Sequence, residues 1–127
     1  MAISNYLENK ILEATLKGIS YASPSVVYVC LYVSNPTDSD IGEEVSGAGY
    51  ARQSVEFDNA SDGSITNSST VRFPIAEDAW GTINYIGIRD SLNGGNLLYY
   101  GMLSSSQSIS LNNQLVINPG QLTITLD

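Results

Sequence analysis

Carboxylates are the most numerous groups in this sequence that could do chemistry. Asp38, Asp40, Glu43 and Glu44 cluster in one short segment, and oxygen-rich loops of this kind can hold a hard cation such as calcium. The spacing lacks the glycine that a calcium-binding loop needs at its sharp turn, so the segment reads as a solvated acidic loop. Asp58, Asp62, Glu77 and Asp78 could supply the carboxylate pair of a glycosidase. All four fall among turn residues, and any acidic chain offers as many. Cys30 is the single cysteine and the chain has no histidine. That excludes an internal disulfide, a multi-cysteine zinc site and histidine-based nucleophilic catalysis. Cys30 sits in an apolar run without an activating base, so it reads as a buried small hydrophobe. The sequence thus assigns no catalytic, cofactor-binding or metal-ligating residue.

Aromatic groups are the other candidates. There are eight tyrosines and one tryptophan. Tyr28 and Tyr32 share one strand face, while the adjacent pair Tyr99 and Tyr100 must point to opposite faces. Aromatic residues are enriched at contact surfaces, but they also favour strands and fill cores. Trp80 is the candidate exposed anchor, with core packing as its alternative. Asn59-Ala60-Ser61 and Asn67-Ser68-Ser69 fit the glycosylation pattern, which carries weight only in a secreted chain.

The wider composition narrows the partners. With 5 basic and 13 acidic residues in 127, the net charge is −8. Nucleic acid and anionic membrane surfaces are therefore not expected partners. The opening residues lack the apolar stretch of a signal peptide. The longest apolar run, residues 26–33, is too short to span a bilayer. These features predict a protein made in the cytoplasm and not secreted. Charged residues make up only 14%, and none occurs in residues 91–126. That stretch is either a β-segment with a neutral polar face or a surface covered by another chain.

The elements that must position these groups follow from periodicity. A helix is expected over residues 4–17, capped by Ser4 and stopped by Gly18. Ile3, Leu7, Ile11 and Ala14 fall on one stripe, and Leu12, Leu16 and Ile19 widen it past half the circumference. A helix so apolar needs cover on two sides, one from its own sheet and one from a neighbouring chain. Ile3, Leu7, Ile11, Leu12 and Leu16 are accordingly the candidate assembly contacts. From residue 26 the code changes to short β-runs. Residues 26–33 form the strongest and most central strand. Residues 37–49 read as a long exposed loop, 50–57 as a strand, 58–69 as a polar turn region and 70–75 as a short edge strand. Residues 82–89 and 96–103 form a hairpin about Asn93-Gly94-Gly95. Short strands at 109–111, 114–117 and 121–126 complete the chain. The expected fold is mainly β: an antiparallel β-sandwich or jelly-roll-like barrel with one N-terminal α-helix. It forms a single domain over residues 1–127, with a β-body over about 26–126.

The opening residues MAISNYLENKILEATLKG, the turn at Leu31, Tyr32, Ser34 and Pro36, the strand Gly49 to Gln53 and the strand marked by Trp80, Gly81, Gly87, Ile88 and Asp90 resemble small tailed-bacteriophage virion proteins. That group carries the labels tail-fibre protein and capsid cement or decoration protein. The resemblance runs nearly end to end and brings no catalytic residue with it. It implies a virion structural protein on the outer surface of the capsid. Such a cement protein self-associates as a trimer and bridges neighbouring capsomers of the major capsid protein. The alternative it implies is a tail-fibre or baseplate component that binds a host-surface glycan. The helix and residues 91–126 are expected to meet other chains, and the acidic loop to face solvent or the host.

Overall fold

A computed structural model describes residues 1–126. The order is β1 (Ala2–Ile3), α1 (Asn5–Leu16), β2 (Val27–Tyr32), β3 (Gln53–Val55), β4 (Ser64–Thr66), β5 (Val71–Arg72), β6 (Gly81–Arg89), β7 (Leu97–Ile109), β8 (Val116–Ile117) and β9 (Thr123–Thr125). A five-stranded antiparallel sheet runs β1-β7-β6-β2-β3, and two ribbons pair β4 with β9 and β5 with β8. The fold is mainly β and sandwich-like, and the sheet does not close into a barrel.

Alternation along β2 explains the two layers of packing. Val29 and Leu31 join Ile86, Ile88, Leu98 and Ile109 in the main core, which Val71 and Ile124 of the ribbons and Leu122 beside β9 cover. On the opposite face Cys30, Tyr32 and Leu97 form a second, small cluster with Tyr85 and Tyr100 against it. Both faces of β6 are thus covered, as its doubly apolar alternation requires. Gly87 lies where the faces crowd. A Cβ there would stand 2.7 Å from a ring carbon of Tyr32 and 3.0 Å from a methyl of Leu97, so any larger residue would displace these buried side chains.

The helix begins as its sequence dictates. The Ser4 hydroxyl accepts from the Leu7 amide at 3.2 Å and donates to the Leu97 carbonyl at 2.5 Å. One side chain therefore both caps α1 and ties it to β7. At the other end Lys17 is the C-cap and Gly18 takes φ +68°, the left-handed value that favours glycine.

Several boundaries differ from expectation for identifiable reasons. Residues 2–3 form a strand because pairing with Tyr99 and Tyr100 captures them. The predicted strand 50–57 shortens to β3, because Tyr50 turns inward to stack on Phe73 and meet Trp80 edge-on. The predicted turn region 58–69 contains β4, a polar strand that its partner β9 holds. The strand predicted at 96–103 extends as β7 to Ile109, and of the strand predicted at 109–111 only Ile109 is in it, residues 110 and 111 leaving the sheet for a turn. Its register against β6 slips between Ile83 and Tyr85, so Gln107 and Met102 are their partners. The residues between them bulge out opposite Asn84, whose Oδ1 accepts from the Ser106 hydroxyl at 2.6 Å.

Candidate assembly surface and the clasped acidic loop

The segment 36–49 is not a free acidic loop. Its end adds to the sheet: the Val33 amide donates to the Glu43 carbonyl and the Val45 amide to the Leu31 carbonyl, each at 2.9 Å. Val45 and Pro36 are buried. Two arginines then clasp it. Arg89 donates to both carboxylate oxygens of Asp40 at 2.8 and 2.9 Å, and to the Tyr32 hydroxyl at 3.0 Å. Arg52 makes the same bidentate fork to Glu44 at 2.9 and 2.8 Å. Both guanidinium groups also reach the Gly94 carbonyl of the hairpin turn. The Tyr100 hydroxyl donates to Asp38. Three of the four clustered acids are thus held: Asp38 and Asp40 by groups far away in sequence, and Glu44 by Arg52 and Tyr50 just beyond the loop. Among the described residues, no group of three or more potential ligands is arranged to hold a metal ion.

Electrostatics follow burial. Burial pushes the Glu44 carboxyl up, but hydrogen bonds from Arg52 and Tyr50 outweigh it, and its pKa lies below the ordinary value of 4.5. A carboxylate depressed in the folded state stabilises above its unfolded pKa, and that contribution is lost as pH falls through the folded value. We expect the urea midpoint to be flat from pH 7 to 5 and to fall below about pH 4.5. Glu44→Gln should lower the plateau and make the fall shallower. A midpoint indifferent to acid would mean that the clasp contributes nothing. Burial also raises the Cys30 thiol to about 12. An aromatic disulfide reagent at pH 8 should leave it unreacted in native protein and titrate one thiol after unfolding. Rapid native labelling would contradict its buried position.

Trp80 is not an exposed anchor. It is 4% exposed, its indole N–H donates to the Ala48 carbonyl at 2.9 Å, and it meets the Tyr50 ring edge-on at 5.5 Å. Core packing, the alternative reading, is the one realised: the Ala48 carbonyl satisfies its one donor from within. Asn67 of the second glycosylation pattern is likewise buried. Its side chain donates to the Ser69 and Asn118 carbonyls and accepts from the Leu122 amide. Nothing in the local sequence signals either role, because the partners lie in other segments.

The five candidate contacts of the helix separate into two groups. Leu7 is buried in its own core and so is not available to another chain, which corrects its assignment as an assembly contact. Ile3 and Ile11 are half-buried against the same core. Leu12 is 54% and Leu16 77% exposed, and Ile19 beyond the helix is also exposed. The cause is geometric: Leu16 follows Leu7 by two and a half turns and faces the opposite way. An apolar arc this wide cannot be covered by one sheet. Met102 and Leu111 of the uncharged last third are exposed as well.

The class that this geometry defines is a mainly-β antiparallel domain whose distinctive surface is apolar, carried by one half-covered helix. Residues 2–125 match the family model described as podophage GP4 fiber I protein gp80, and the chain belongs to that family. It is a bacteriophage virion structural protein. No curated protein matches it.

Proposed function

We propose that the chain is a subunit of the virion's fibre apparatus and acts by association, with copies of itself and with a larger scaffold, rather than by covalent chemistry. The observation that carries this is the exposed apolar run of Leu12 and Leu16 on α1 and Ile19 just beyond it, on a helix whose other side is anchored in its own core. Exposed apolar surface costs free energy in water and is retained where a partner covers it. The family description favours the fibre. A capsid cement role, bridging copies of the major capsid protein, uses the same surface and predicts a different address on the particle.

Immunogold labelling of purified virions tests this. Label at the tail or its fibres supports the proposal. Label over the head shell replaces it with the cement role, and absence from intact particles overturns both. In sizing chromatography with light scattering, the isolated protein should elute as an oligomer, a trimer on the expectation from sequence.

A further inference from the structure

We propose that copies of this chain join by seating the exposed half of α1 from one copy in an apolar cleft of the next. This rests on the self-association proposed above and names the surface that receives the helix. The cleft opens between the main sheet and the β4–β9 ribbon. It has a volume of about 330 Å³ and is lined almost wholly by apolar side chains, among them Val27, Phe57, Ile65, Ile88, Tyr99 and Ile124. An apolar cavity of about 150 Å³ already admits benzene, so this cleft can take leucine-sized groups. The same chain therefore carries a convex apolar feature, Leu12, Leu16 and Ile19, and a concave one.

Charge selects a second copy as the occupant. The chain's two lysines, Lys10 and Lys17, both stand on α1 or at its C-cap, where they offset Glu8 and Glu13. The wall of the cleft bearing Phe57 and Ile65 lies in residues 53–71, which contain Glu56, Asp58 and Asp62 and no basic residue. All three acids are exposed. In a chain of net charge −8, most surfaces of two copies repel each other. A locally neutral helix with lysines on its flank, set against an acidic rim, is the pairing that opposes this repulsion. The two surfaces differ, so each copy offers both, and the contact is satisfied throughout only when a ring closes.

Two variants at exposed positions test the contact, Leu16→Glu on the helix and Ala60→Trp at the mouth of the cleft. Light scattering after sizing chromatography reads assembly, and far-ultraviolet circular dichroism confirms folding. Leu16→Glu should weaken self-association on the order of 100-fold, since it removes the leucine that the contact covers and inserts a charge. Each variant alone should be monomeric. Mixed, they should form a one-to-one heterodimer, because one intact helix still meets one intact cleft. If Ala60→Trp fails to fold, Lys17→Glu and Asp58→Lys give the same reading: each weakens assembly, and a chain carrying both recovers it. A wild-type monomer at 100 µM overturns the proposal. So do variants that assemble like wild type, and so does an Ala60→Trp that keeps assembly but loses uptake of an apolar dye. Presence in the virion with an intact variant oligomer would leave the virion role standing and remove only this contact.

Discussion

Arg89→Ala should lower folding stability by about 3 kcal/mol, the lower end of the range for breaking a buried ion pair. The Arg89 side chain is only 10% exposed, whereas Asp40 is 34% exposed, so water reclaims part of the carboxylate and holds the loss to that lower end. The arginine also leaves behind the Tyr32 hydroxyl and the Gly94 and Gly95 carbonyls, which accept from it at 3.0, 3.2 and 2.9 Å. Urea denaturation monitored by tyrosine and tryptophan fluorescence measures the change. Asp40→Ala should cost less, because Arg89 keeps those three acceptors. A double-mutant cycle then isolates the pair itself. A loss below about 1 kcal/mol for Arg89→Ala would make the clasp equivalent to an ordinary surface ion pair.

Trp80→Ala should cost about 3–5 kcal/mol, the usual range for deleting a large buried aromatic side chain. Besides its volume, the indole supplies a side-chain donor to the Ala48 carbonyl and the edge-on partner of Tyr50. Trp80→Phe should recover much of the packing but not the hydrogen bond, and so fall between. Thermal unfolding by circular dichroism measures both. An exposed residue would give a change within about 0.5 kcal/mol, so an unchanged midpoint for Trp80→Ala would return it to the surface.

How much of this was legible in the sequence depended on the range of the interactions. The helix was readable because its cap, stripe and stop lie within a few residues: Ser4, the apolar positions and Gly18. The hairpin about Asn93-Gly94-Gly95 was readable for the same reason. The central strand was readable because a continuous β-branched and aromatic run has few other uses. The clasp was not, since Asp40 meets Arg89 and Glu44 meets Arg52 only after the sheet has formed. Its one trace is that a chain with five cations places its three arginines, Arg52, Arg72 and Arg89, in strand-like segments. β4 was missed because Ser64 and Thr66 carry no apolar alternation and owe their conformation to β9. Which arc of the widely apolar helix meets the sheet, that of Leu7 or that of Leu16, was not legible, because the Ser4 bond to Leu97 that ties the helix down joins distant segments.

The pairing of β1 with β7 sets a timetable for the chain. Ala2 and Ile3 find their partners at Tyr100 and Tyr99, and β4 and β5 wait for β9 and β8. During synthesis, only the β2–β3 and β2–β6 ladders can form before residue 97 emerges, and these leave the main apolar face without its lid. Pairings this distant along the chain slow the search. Newly made copies therefore pass through an interval in which chaperones or aggregation compete for them, and a lower growth temperature should raise the yield of properly closed protein.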